Sequence, residues 1–184
     1  NELDEVTDYV FEIIQNSNFG QEIHESFMDL AVGTGILLVE EGDALNPVRF
    51  NAIPLPNVYL DTGPDDKIDH VYRERSLKIS DLAVAYPKGI ISEKTIRDMQ
   101  SEPDKKVKVL EVVCRNYSDF NEEKYDYYVI NCDDREMIYY ELFEGSGSNP
   151  YVCFRFSKAS GEIYGRGPLI NALSAIKTTN LTIE

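Results

Sequence analysis

Apolar residues near the start of the chain recur at the helical period. Leu3, Val6, Val10, Ile13 and Ile14 share one face, while Glu2, Asp4, Glu5, Asp8 and Glu12 lie elsewhere. The early carboxylates also suit the positive end of a helix dipole. Asn16-Ser17-Asn18 breaks the pattern. A second helix then carries Ile23, Phe27, Leu30 and Ala31 on one face and stops at Gly33, a residue suited to a C-terminal cap. From Ile36 to Glu40 the pattern turns β-like. Further strand-like runs follow at Val48–Ile53, Val58–Leu60 and Ile68–Leu77, punctuated by Pro54, Pro56 and Gly63-Pro64. Two short helices are predicted over Ser80–Tyr86 and Ser92–Gln100, with Ser92 as the cap of the second. Strands at Val107–Tyr117, Tyr125–Cys132 and Met137–Phe143 come next, separated by acidic turns. Gly145-Ser146-Gly147-Ser148-Asn149 reads as a flexible connector, before a last strand from Pro150 and a last helix from Pro168. Helices and strands are segregated rather than alternating. That order predicts an α+β fold: two N-terminal helices, a largely antiparallel sheet or partial barrel with two short helices inserted, and a C-terminal helix.

One run is more particular than folding requires: Gly161-Glu162-Ile163-Tyr164-Gly165-Arg166-Gly167-Pro168. Its glycines permit unusual backbone angles and close approach. Pro168 suits the first helical position, and Leu169, Ala172, Leu173 and Ile176 continue at helical spacing. Glu162, Tyr164, Gly165, Arg166 and Gly167, with Gly161 and Pro168, are the candidate site, read as a structural elbow. Arg166 is expected to pair with a carboxylate and so fix the outgoing helix.

This elbow, with the order of elements before it, resembles the portal protein, or head-to-tail connector, of short-tailed bacteriophages. The resemblance rests on Pro150, Phe154-Arg155-Phe156, Gly161-Glu162, Tyr164-Gly165-Arg166 and the helix to Asn180. It extends upstream through Asn16-Ser17-Asn18-Phe19, Gly33-Thr34-Gly35-Ile36-Leu37-Leu38-Val39 and Phe50-Asn51-Ala52-Ile53-Pro54-Leu55-Pro56-Asn57-Val58-Tyr59. It implies a structural role without catalysis or cofactor, in a dodecameric ring at one capsid vertex. DNA would enter and leave through that ring, and the tail would attach to it. Implied partners are neighbouring subunits and the capsid, terminase and tail proteins. DNA passes without sequence-specific binding, and no membrane is involved. The implied location is the virion, with the host cytoplasm during assembly. With no initiator Met, residues 1–184 are expected to be a single domain from the central wing region of a longer chain. Residues 168–184 would then start a helix leading into a missing segment, and some exposed apolar surface would belong to missing parts.

Composition changes this picture little. A 184-residue chain with 42% hydrophobic residues can bury one real core. Its formal net charge of -15 opposes binding to phosphates; solubility is its plain reading, and the resemblance adds a second, a channel that must not hold DNA. Cys114, Cys132 and Cys153 are too widely spaced for a metal site and read as buried free thiols in strands. The chain has twelve tyrosines, and Tyr117, Tyr125, Tyr127, Tyr128, Tyr139, Tyr140 and Tyr151 crowd the β half, which suits cross-strand packing or an interface.

Other chemistry fits the pattern less well. Gly33-Thr34-Gly35 follows a helix and precedes a strand, the reverse of a nucleotide- or cofactor-binding glycine loop. Gly167 is followed by Pro168 rather than the Lys of a phosphate loop. His24 and His70 read as surface or hydrogen-bonded residues. Asp61, Asp65, Asp66 and Asp69 cluster around Gly63-Pro64, which leaves a metal-dependent enzyme domain as one alternative, although a solvated acidic turn is the plainer reading. A tyrosine-rich module that binds a protein partner is the other alternative.

Overall fold

The computed structural model describes residues 2–119 and 121–183; Glu184, which ends the expected 168–184 segment, lies outside them. The chain forms two compact units, residues 57–149 being inserted in sequence within a unit built from residues 1–56 and 150–184.

The first unit begins with helices α1 (Glu2–Asn16) and α2 (Phe19–Leu30). Strand β1 (Thr34–Glu41) follows and pairs antiparallel on both sides, with β2 (Val48–Ala52) and with β8 (Tyr151–Arg155). β1 is the central strand of this three-stranded sheet, and its first five residues are buried. The outer edge of β2 and the turn after it are covered by polar side chains of Asn18 and α2. The Asn18 amide donates to the Phe50 carbonyl (2.7 Å) and accepts the Phe50 N–H (2.9 Å), as a neighbouring strand would. Glu22 accepts the Ala52 N–H (2.6 Å), and Asp29 accepts the Leu55 N–H (2.9 Å). These caps satisfy backbone groups that an open sheet edge would expose. Phe19 packs edge-on against Phe50 at 5.1 Å, so the Asn18-Phe19 junction straps the helix to the strand by both chemistries.

The second unit is a five-stranded antiparallel sheet of β3 (Val58–Thr62), β4 (Ile68–Lys78), β5 (Lys106–Arg115), β6 (Lys124–Asn131) and β7 (Glu136–Glu144), paired in sequence order. A single 3-10 turn (Ile79–Asp81), α3 (Leu82–Ala85) and α4 (Glu93–Ser101) complete it. Ile79 and Leu82 pack with Val107, Val109, Val129 and Ile138 as its core. Ser92 caps α4 by accepting the Thr95 N–H, as expected. The register aligns Tyr59, Tyr72, Val112, Tyr128 and Tyr140 in one row across all five strands. Tyr59 and Tyr140 are exposed, and the Tyr128 and Tyr140 rings lie 5.2 Å apart.

The α+β class and the antiparallel pairing are as read. Among the described residues there is no closed barrel: the strands divide into two open sheets. β8 (Tyr151–Arg155) leaves the sequence-adjacent sheet to pair with β1, because strand allegiance is set by long-range register rather than by order. Other local expectations are corrected. Phe27 is exposed, while Ser26 is the buried residue of α2, its hydroxyl donating to the Ile36 carbonyl (3.1 Å). α1 buries none of its residues. Cys132 is exposed in the β6–β7 turn rather than buried in a strand. The Gly145–Asn149 connector is tied down: Glu123 accepts the Gly147 N–H through its carboxylate (3.0 Å) and the Gly145 N–H through its carbonyl (2.8 Å). No helix among the described residues is long and apolar enough to cross a membrane.

Candidate functional site

The elbow follows β8 and leads into α5 (Pro168–Ile183). It crosses the turn between α2 and β1 at backbone contact. A Cβ on Gly33 would stand 2.0 Å from the Gly165 carbonyl oxygen, and one on Gly165 would stand 2.1 Å from that of Gly33. A Cβ on Gly167 would meet the Ala31 carbonyl oxygen at 2.2 Å. No side chain fits at these positions, which is why glycine stands there. Gly161 differs: its surroundings are open, and its φ of 77° makes the turn itself.

The crossing is sewn by backbone hydrogen bonds. Phe156 N–H donates to the Gly33 carbonyl (2.9 Å), Gly167 N–H to that of Val32 (2.9 Å) and Leu169 N–H to that of Ala31 (3.2 Å). Gly165 N–H donates to the fully buried Thr34 hydroxyl (2.8 Å), and Arg166 N–H to the Ser157 carbonyl (2.8 Å). Helix C-termini leave carbonyls without intrahelical partners, and helix N-termini leave N–H groups likewise. Here the carbonyls just past α2 receive the N–H groups at the start of α5. Two helix ends of opposite dipole sign thus satisfy each other. Pro168, lacking an N–H, sits at the first helical position, where none is required.

The Arg155 guanidinium holds the Ile163 carbonyl at 3.1 Å. Arg166 makes a two-pronged pair with Glu162, its Nε donating at 2.8 Å, and this bond holds the Glu162 carboxyl below its usual range. Both side chains of that pair are exposed, as is Tyr164. The expected carboxylate partner of Arg166 is therefore a neighbour within the elbow. It belongs to neither α2 nor the sheet.

Gly33-Thr34-Gly35 and the elbow, two separate runs in sequence, form one structure. Gly35 is also occupied: a Cβ there would strike the Phe154 ring at 2.5 Å. The signal for this meeting was the glycine spacing in both runs, but nothing in either run names the other as its partner. Ser26 and Thr34, the buried hydroxyls at the crossing, carry no local signal that would mark them.

The remaining candidates do not assemble into a reactive centre. Asp69 is buried and accepts the Tyr117 hydroxyl (2.7 Å), with His70 Nδ1 at 2.7 Å from its other oxygen. Asp65 pairs with Lys67, and Asp61 receives the Thr62 N–H. Among the described residues no group of three or more His, Cys, Asp or Glu is placed to hold a metal. His24 is exposed on α2. Burial pushes the Cys153 thiol up to about 12 and also raises that of Cys114, so neither is an activated nucleophile.

A family model described as bacteriophage head to tail connecting protein matches residues 1–184, and the chain belongs to that family. No curated protein matches it. The family's role is structural, joining head to tail in the phage particle.

Proposed function

We propose that this chain is part of a portal ring of a short-tailed phage or prophage, through which DNA enters and leaves the head. It works there as architecture. The elbow sets the direction in which α5 leaves the three-stranded sheet, and neighbouring copies, capsid, terminase and tail proteins are its partners. DNA slides past without sequence-specific contact, a reading supported by the net charge of -15. In this reading residues 1–184 are a central, wing-region portion of the protein, assembled in the host cytoplasm and retained at the capsid vertex.

The observation that carries the proposal is the glycine crossing. The elbow, where the chain most resembles portals, is occupied by backbone approach at Gly165 and Gly167 and by the Glu162–Arg166 pair. Such a site does the work of a joint. The test is a phage deleted for the gene. We expect heads without packaged DNA or tails, restored by the gene in trans, and rings with a central hole in micrographs of the purified protein. DNA-filled, tailed particles assembled without it would overturn the proposal.

A second reading draws on the tyrosine row of Tyr59, Tyr72, Tyr128 and Tyr140, a sheet face on which another phage component could dock. Replacing Tyr59 and Tyr140 by Ser would then leave rings intact but abolish one attachment step. Unchanged particle yield would remove this reading.

A further inference from the structure

Two helices of the first unit keep apolar faces that the described residues of the unit leave about half exposed or more. On α1, Leu3, Val6 and Val10 are 74%, 60% and 48% exposed; on α5, Leu169, Leu173 and Ile176 are 50%, 46% and 43% exposed. α1 packs against α2 yet buries none of its residues, and no element packs extensively on α5 among the described residues. Faces of this kind cost free energy in water and mark association surfaces.

Position and charge say what covers them. α1 runs into the N-terminal end of α2, whereas α5 starts at the carbonyls of its C-terminal end. Twelve residues of helix separate the two roots by about 18 Å. α1 carries Glu2, Asp4, Glu5, Asp8 and Glu12 and no Lys or Arg, while α5 carries Lys177 and no carboxylate. Packing α1 on another α1 would bring two acidic helices together, whereas α5 offers an apolar face free of acid.

We infer that the apolar stripe of α1 docks on α5 of a second copy of this chain. The two surfaces differ and lie at opposite ends of one helix, so the contact is head-to-tail, and repeated addition closes a ring or runs on as a filament. The inference rests on the reading of the chain as a ring component and names the surfaces that would meet.

The test uses single cysteines in a Cys132→Ser background, which removes the exposed native thiol. Val6→Cys and Leu173→Cys are placed in separate proteins, mixed, and oxidised mildly. The mixture should yield several-fold more cross-linked dimer than either protein alone, and the doubly substituted chain should yield a ladder of higher oligomers. Equal dimer from one single-cysteine protein alone would mean a symmetric contact and overturn the inference. A cross-link closing within the monomer of the doubly substituted chain would overturn it too, since α1 would then lie on its own α5. Sedimentation of the unsubstituted protein separates the two levels of failure. Assembly without a Val6–Leu173 cross-link sinks this contact alone. A monomer at every concentration sinks the contact, leaves the faces to segments of the longer chain, and counts against the ring.

Discussion

The glycine crossing of the first unit and the Glu111 cluster of the second hold their elements in place with opposite materials. At the crossing, two stretches of backbone meet because side chains are missing, and all but one of the bonds sewing it run between main-chain groups. In the five-stranded sheet, the buried Glu111 carboxylate gathers charge instead. It accepts the Tyr86 hydroxyl at 2.6 Å, Arg75 at 2.7 Å and Arg73 at 3.2 Å. Burial works against the Arg75 charge, yet Glu111 holds its guanidinium above the ordinary range; burial and then Glu111 push the Tyr86 phenol up. A backbone joint has geometry with almost no titration, so it should hold its angle across pH. A buried ionic cluster ties β4, β5 and the α3 segment together, but only while every partner keeps its protonation state.

The largest effect should come from Gly165→Ala. The added Cβ would overlap a main-chain oxygen that cannot swing aside, so one of the two crossing segments must move. The expected loss exceeds about 3 kcal/mol, beyond ordinary overpacking because the obstacle is backbone. It should appear as proteolysis and fast amide exchange at residues 31–35 and 165–169, with the five-stranded sheet still protected. Uniform loss in both units would show that the crossing is not a separable joint.

Glu111→Gln comes next. It keeps the shape but leaves Arg73 and Arg75 facing a neutral amide, costing about 3 kcal/mol, the lower end for a broken buried pair because Arg75 is partly exposed. Chemical denaturation followed by tyrosine fluorescence would read it. The loss should fall on the second unit, the mirror image of the glycine substitution.

These two substitutions separate what sequence reading reaches from what it does not. Helix and strand bounds were legible from periodicity, Pro/Gly punctuation and the Ser92 cap, because those signals are local. The meeting of Gly33 with Gly165 was not, since a glycine announces close approach without naming what approaches. The edge straps were hidden for a related reason. Asn18, Glu22 and Asp29 look like a solvated polar stripe, and only the register of β2 shows that they face backbone. Ion-pair choice was similarly open: Arg166 had a legible need for a carboxylate, and the i,i+4 position of Glu162 was a fair guess only once the turn was known.

Alkaline pH should act on the second unit through its tyrosines, with a smaller effect. Burial, and then the bond to Glu123, push the Tyr125 phenol up to about 12, and burial with Asp69 does the same for Tyr117. The folded state therefore keeps these protons above the pH at which an unfolded tyrosine loses them. Their contribution is complete below about pH 10 and is lost as pH rises from about 10 to 12. Thermal melts of the wild type should fall more steeply through that window than melts of Tyr125→Phe. Equal slopes would remove Tyr125 from the account.

Asn18→Ala should cost about 1–2 kcal/mol, since it unstraps the Phe50 N–H and carbonyl at an edge where water can partly replace the amide. Exchange of the Phe50 amide would report it directly, and an unchanged rate would mean that the strap is ornamental.

Arg166→Ala should have the smallest effect on stability, and the reason sharpens the contrast between the two regions. Glu111 is withdrawn from water and its arginines largely so, whereas Arg166 and Glu162 stand in it, where an ion pair contributes little. The joint beneath is held by the N–H groups of Gly165, Gly167 and Leu169, none of which needs the guanidinium. The melting temperature and the exchange of those amides should therefore barely change. If particle assembly nevertheless fell, Arg166 would be acting outward, on a partner, from a position the glycines hold rigid. If the amides of the crossing loosened instead, the exposed pair would be bracing the corner after all. The elbow would then be a charged joint as well as a backbone one.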